Sequence, residues 1–523
     1  MQNQGSRPKG LIVLVTVLFG LVVAFHLGNA LLGKSLFRAI HLGTALEYAH
    51  SPVNLLRPMI VGFDANEAPV AQEPPFWQAA VGLVFKATGS TWYGWANLVS
   101  LLFFATGLWP AFQLARFYAG ERAAWWSLAF FLAQPLIVFV AGLGSTDGFC
   151  LVAMNWFLFF ANRMIVTGRA LWWLPTALFA SLCAVSKLPF FMTAGFAGIF
   201  MLVVNRTWSW RPWLLLASAG MTAALAFAGW THYAGSLSAH AEYPYVELRL
   251  AHNPFIRDWY FGSLQFRLNP GAWLKAGWRF LHATLGSLPF VVLLLTALFR
   301  PGNRFPKLWL AAMVPTTLVF THLVLVHWHY YLMSCLPVAV LCGTTLAAWE
   351  DLWSQQMPRP WLRLSLAGLA LVLSAVDGLI AMKVSIFYDP FPKEMAAVIQ
   401  QHTQPDDRLI LYNTDASWGG EELFRAGRRG FYVYDLENVQ RADTTHGLLD
   451  LLDNETDLHR LKALGYNKLV LISESPAWFA ATAVNPGSTA KRILYPATLS
   501  PTVDRWPVVY RSEDILIKQI PDE

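Results

Sequence analysis

Charge is scarce in this chain. Of its 523 residues only 13% are Asp, Glu, Lys or Arg while 55% are hydrophobic, and the mean hydropathy is +0.41. A soluble chain is roughly a quarter charged, so three or four water-soluble domains, the ordinary reading of this length, are excluded and an integral membrane protein is indicated. Cysteine is equally scarce. Cys150, Cys183, Cys335 and Cys342 all fall inside apolar runs, which leaves no disulfide framework and no CxxC metal site. The alternating ten-residue strands of a transmembrane barrel are missing as well, because the apolar runs are continuous over roughly 20 residues.

The charge that is present is unevenly placed. Residues 1–385 carry 24 Lys and Arg against 12 Asp and Glu, and residues 386–523 carry 14 against 20. The first part is therefore a membrane piece of net +12 and the second a soluble piece of net −6. Basic residues beside lipid are expected on topological grounds, so the overall excess of +6 does not point to nucleic acid.

Runs long enough for a helical crossing lie near 11–32, 91–114, 123–142, 148–165, 170–186, 190–205, 213–234, 280–299, 308–326, 331–349 and 362–383. The first exceeds the apolar core of a signal peptide and no small-x-small site follows it, so it reads as a span. The expected fold class is mainly α: a polytopic domain of about eleven transmembrane helices over 1–385 and a small extracytoplasmic α/β domain over 386–523. The positive-inside rule puts the N-terminus in the cytoplasm, since every inner segment then carries at least two cations, such as Arg116 with Arg122 and Arg300 with Arg304. An odd number of spans exports the second domain. Its segments 408–413, 431–436 and 468–473 read as strands and 393–402 as a helix, an α/β layer without a glycine-rich phosphate loop.

Two outer loops, about 33–90 and 235–279, hold Glu47, Asp64, Glu67, Glu73, Glu242, Glu247 and Asp258, so most of the membrane part's few acids face outward. The first contains FDANEAPVAQEPPFWQ (63–78), where Pro74 and Pro75 fix an extended lead into a short amphipathic stretch. GLGSTDGF (142–149) sets Asp147 at the outer start of a span, where a plain helix cap is the simple reading. The second loop interleaves Arg249, Arg257, Arg267, Lys275 and Arg279 with tryptophan and tyrosine, which suits lipid headgroups or a phosphate-bearing donor. A lysine at a helix end, Lys187 in AVSKLPF, usually snorkels to the surface. His327 and His329 in HWHYYLMSCLP (327–337) do not share a helix face, so a zinc pair is not indicated and hydrogen bonding with Tyr330 is as good a reading as sugar contact.

An acidic outer loop after span one, an acidic-Pro-Pro-aromatic motif, Asp147, Lys187 and the HWHYY segment, in this order, resemble the C-type glycosyltransferases, in particular the branch of protein O-mannosyltransferases and lipid A aminoarabinose transferases. The resemblance spans the membrane part. It implies transfer of a sugar from a polyprenyl phosphate to an envelope glycan, lipid or protein acceptor on the outer face, with inversion at the anomeric carbon. It also implies a base for the acceptor hydroxyl and cations for the departing phosphate. Asp147 matches the second acidic position, and Lys187, His327, His329 and Tyr330 match positions near phosphate or sugar. Two positions depart from the pattern. His41 stands where the catalytic acid usually does, leaving His41 itself, Asp64 or Glu47 as the base, and Glu73 replaces the lysine of the Lys-Pro-Pro seen in the lipid A branch. Arg249, Arg257 and Arg267 are then candidates to replace that cation. No cofactor is called for, and a divalent metal would suit the chemistry but has no signature here. The expected location is the bacterial inner membrane. Two other classes fit less of the sequence: a catalytically inactive scaffold or sensor, which the change at His41 would suit, and a secondary transporter, against which stand the lack of central charges and of a repeated half.

Overall fold

The computed structural model describes residues 9–32, 39–59, 69, 71, 73–238, 254–357, 359–384, 391–413, 421–434, 455–472, 503, 505–512 and 515–521. In chain order the helices are α1 (Lys9–Leu31), α2 (Ala39–His50), α3 (Phe76–Thr88), α4 (Gly94–Ala119), α5 (Glu121–Ala133), α6 (Pro135–Val140), α7 (Thr146–Thr167) and α8 (Trp173–Ser186). They continue with α9 (Leu188–Val204), α10 (Trp210–Ser238), α11 (Pro254–Phe261), α12 (Leu264–Arg267), α13 (Pro270–Phe280), α14 (Leu288–Phe299) and α15 (Arg304–Ala311). The last are α16 (Met313–Val319), α17 (Thr321–Val326), α18 (Leu332–Gln356), α19 (Pro360–Ala381), α20 (Phe391–His402), α21 (Glu421–Ala426) and α22 (Glu455–Ala463). Packing divides the chain into two units, one made of Met1–Phe37, Trp92–His232 and Asp258–Tyr388, the other of Arg38–Thr91, Tyr233–Arg257 and Asp389–Glu523.

Among the described residues, six helical stretches are long and apolar enough to cross a membrane: Lys9–Leu31, Gly94–Ala119, Thr146–Thr167, Trp210–Leu237, Trp328–Ser354 and Pro360–Ala381. A seventh is a pair bent by 92°, Pro270–Leu285 with Leu288–Phe299. The remaining apolar runs are shorter or interrupted helices, and proline accounts for three of the interruptions. Gln134 is extended (φ −65°, ψ 129°) immediately before Pro135, dividing 123–142 into α5 and α6. Lys187 is extended (φ −154°, ψ 102°) two residues before Pro189 and separates α8 from α9. Ser287, two before Pro289, has φ −138° and ψ 158° at the 92° bend. The run 308–326 is shared among α15, α16 and α17.

Close approach of backbones holds the first unit together. A Cβ at Gly343 of α18 would lie 2.5 Å from the Ser127 amide nitrogen and 2.7 Å from its Cα on α5, so only glycine admits this contact. At the ends of the same two helices the Arg122 Nε and Trp126 Nε1 both donate to Glu350 Oε2 at 2.8 Å. Trp126, Phe131, Phe157, Phe190, Phe305 and Trp309 are fully buried in this core. A cavity of about 410 Å³, lined among others by Trp126, Phe290, Trp349, Trp353, Ser374 and Asp377, lies between α5, α14, α18 and α19.

In the second unit α2 and α3 form a tight pair. Added at Gly82, a Cβ would stand 2.5 Å from Tyr48 Cβ and 2.8 Å from the Ala45 carbonyl oxygen. Tyr48 donates its hydroxyl to the Asn54 carbonyl at 2.6 Å, and burial, with Glu47 beside it, pushes its pKa up to about 12. Five strands, β1 (Arg408–Asn413), β2 (Arg429–Tyr434), β3 (Tyr466–Ile472), β4 (Val508–Arg511) and β5 (Ile515–Gln519), form one sheet in the order β2-β1-β3-β5-β4. The β2-β1-β3 part is parallel, and β5 pairs antiparallel with both β3 and β4. Ile399 of α20 and Leu423 of α21 pack on Leu409, Leu411, Val470 and Ile517. Buried Arg428 donates to the Gln400 and Thr403 carbonyls in the last turns of α20 and to the Thr403 hydroxyl, satisfying groups a helix end leaves open.

Candidate active site

Asp147 is not the cap of its helix. That position belongs to Ser145, whose hydroxyl accepts from the Asp147 amide at 3.3 Å and donates to Asp147 Oδ2 at 3.0 Å. The other carboxylate oxygen, Oδ1, lies 2.5 Å from Lys187 Nζ, forming an ion pair whose side chains are 0% and 10% exposed. Lys187 therefore does not snorkel to the surface. Its amide closes α8 on Cys183 O and its carbonyl opens α9 by accepting from Phe190, so the interruption between the helices is what aims the ammonium. The first-turn dipole of α7 adds to the stabilisation of the carboxylate.

The turn before Asp147 is clamped from two other helices. Gly142 gives its N–H to His26 Nε2 on α1 at 3.1 Å and takes Asn97 Nδ2–H from α4 on its carbonyl at 2.6 Å. His26 and Asn97 are 1% and 0% exposed. A Cβ on Gly142 would reach within 2.4 Å of the His26 ring, which is why glycine stands there. Neither His26 nor Asn97 is singled out by the sequence reading, although a lone polar residue in an apolar span is itself a signal.

On the far side of Lys187, the ammonium sits 5.5 Å from the centre of the Tyr330 ring, a cation–π contact. Tyr330 leads to His329 at 4.4 Å between ring centres, and His329 to His327 at 5.2 Å. The segment Trp328–Tyr331 is a 3-10 turn and not an α-helix, so the two imidazoles do approach each other despite their i, i+2 spacing. Asp147, Lys187, Tyr330, His329 and His327 thus form one continuous chain of contacts.

The loop cations are placed differently. Arg267 donates to the Gly262, Leu318 and Val319 carbonyls at 3.1, 3.2 and 3.3 Å, which ties α12 to the end of α16. Arg279 donates to the Leu325 carbonyl and stacks 5.8 Å from the Trp328 ring centre. Arg257 is exposed on α11, and Asp64 and Arg249 lie outside the described residues. In the second unit, His41 in the first turn of α2 meets Glu73, with Nε2 3.0 Å from Oε1, while Glu47 is half-buried further along α2.

No protein-family model matches the chain, and no curated protein matches it in sequence. Solved structures do resemble it. ArnT from Cupriavidus metallidurans bound to undecaprenyl phosphate superposes with a TM-score of 0.62 at 16% identity, covering 98% of this chain and 99% of that one. ArnT in the apo state gives the same score and identity over 99% of each chain. The sequence resemblance and the fold comparison agree: the chain has the C-type glycosyltransferase fold, in the form seen in ArnT.

Proposed function

We propose that the chain is a membrane glycosyltransferase that moves a sugar from a polyprenyl phosphate to an envelope acceptor on the outer face of the bacterial inner membrane. The observation that carries this reading is the buried Asp147–Lys187 pair in a fold shared with a protein that binds undecaprenyl phosphate. When an acceptor oxygen displaces the lipid phosphate at the anomeric carbon, negative charge develops on the departing phosphate. A cation already fixed in a water-poor site stabilises that charge without reorganising. Lys187 fits the task, because one of its three N–H donors is held by Asp147 and the Tyr330 ring steadies the ammonium. His329 and His327, next along, are proposed sugar contacts. In this reading the interrupted helices also cross the membrane, giving eleven crossings, a cytoplasmic N-terminus and an extracytoplasmic α/β domain from about residue 386.

Binding of undecaprenyl phosphate to the full chain in lipid nanodiscs tests the phosphate role. Lys187→Ala is expected to weaken binding at least about tenfold, the scale of one lost charge-assisted contact. Lys187→Ala combined with Asp147→Asn removes both charges, so it folds and still binds weakly. Wild-type affinity in the double variant contradicts the proposal.

A further inference from the structure

The cavity between α5, α14, α18 and α19 plays no part in the transferase reading, and all four helices belong to the first unit. Its walls are unequal. Trp126, Phe290, Leu293, Leu346, Trp349 and Trp353 make most of it apolar, whereas Ser287, Ser374 and Asp377 give it one polar end. On α19 the lining residues Ala367, Ala370, Ser374 and Asp377 follow one another at helical spacing along a single face, so the cavity runs beside that helix for about 15 Å. That is the hydrocarbon depth of one leaflet, half of a core about 30 Å thick. Ala370 and Leu373 are both exposed on this apolar span, so the α19 wall faces lipid.

The polar end accepts hydrogen bonds and has none to give. Ser374 donates to the Leu285 carbonyl at 2.9 Å, so in its 2.9 Å contact with Ser287 the Ser287 hydroxyl is the donor. Both hydroxyl hydrogens are then spent and only lone pairs remain. The Asp377 carboxylate has no hydrogen bond or ion pair among the described residues, and Lys383, just beyond the helix, does not pair with it. The helix ends at Ala381, so its dipole opposes the carboxylate as well. An acid on a membrane span in these surroundings calls for a cationic partner.

A cation that carries N–H donors at the head of a hydrocarbon chain answers each of these features. We propose that the cavity binds a phospholipid whose headgroup bears a primary amine. The ammonium sits on Asp377 and the Ser287 lone pairs, and one acyl chain lies along α19 toward Trp349 and Trp353. A headgroup of net negative charge is repelled by Asp377 and forfeits the ion pair. The inference is independent of the transferase reading, since it uses neither Asp147 nor Lys187.

Lipid titration of the delipidated full chain in detergent, followed by native mass spectrometry, tests it. The lipids are phosphatidylethanolamine, its N-acetyl derivative and phosphatidylglycerol, with identical acyl chains. Phosphatidylethanolamine should bind about three- to tenfold more tightly than either of the others, the scale of one ion pair outside the deep interior. Asp377→Asn, which keeps the side chain's shape at an exposed position, should bring phosphatidylethanolamine down to the level of the N-acetyl form. Ala370→Phe, which fills the cavity from the lipid-facing side, should weaken all three. The inference is overturned if the wild-type chain holds the three lipids alike, if Asp377→Asn keeps the preference, or if Ala370→Phe binds phosphatidylethanolamine as wild type does.

Discussion

Asp147 and Lys187 both lose nearly all their hydration, and their attraction has to offset that loss. Removing one partner of such a pair leaves a buried charge without compensation, at a cost of about 3–5 kcal/mol, whereas removing both is close to neutral. Asp147→Asn and Lys187→Met should therefore each be destabilising and the double variant close to wild type. Thermal unfolding in detergent checks this, and additive losses would show that the two do not act as a pair. The Gly142→Ala variant should lose about 1–3 kcal/mol, because its Cβ meets the His26 ring at 2.4 Å. Unfolding midpoints at wild-type level would contradict the clamp. At this scale the sequence is informative where charge is scarce. Asp147 and Lys187 stand out in apolar surroundings, and so does the odd residue at position 41. What cannot be seen in one sequence is pairing over distance: that Lys187 meets Asp147 40 positions away, or that His41 meets Glu73.

Helices behave according to what interrupts them. Apolar runs mark where helices lie, and six of the eleven runs correspond to single long helices. Of the others, 123–142, 280–299 and 308–326 are divided and 170–186 and 190–205 are single short helices, and at three breaks, within 123–142, within 280–299 and between those two short helices, a proline stands one or two residues later in the sequence itself. A hydropathy window averages over that signal and reports one span. Packing between helices depends on local clearance in the same way. Gly343→Ala should push α5 and α18 apart at a cost of about 1–3 kcal/mol, because the clash is with Ser127 backbone atoms. Gly220→Ala on α10, where nothing lies within 4 Å of the added carbon, should be neutral or slightly stabilising through helix propensity. Equal effects at the two sites, measured as unfolding midpoints, would contradict the packing described. In the C-terminal part the strand segments near 408–413 and 468–473 are legible from continuous apolar runs, and they form β1 and β3. The pairing order β2-β1-β3-β5-β4 was not, because register and neighbour choice depend on contacts far apart in sequence.

Over the whole chain, two kinds of division coexist. Charge density rises near residue 386, whereas packing groups 38–91 and 233–257 with 389–523. Composition reports the solvent each segment meets and cannot report which segments touch. The fold is legible from an ordered set of weak motifs, none specific alone, and the superposition on ArnT over 98% of the chain shows the fold to which they point. The most direct test of the transferase account is a mass spectrum of envelope lipids and glycans from cells carrying the wild-type chain, Asp147→Asn or neither. The account predicts a sugar-sized mass increment with wild type that is missing from both other samples, the Asp147→Asn increment being compared per copy of the variant inserted in the membrane. Spectra identical in all three, or an increment that survives in Asp147→Asn, would contradict it.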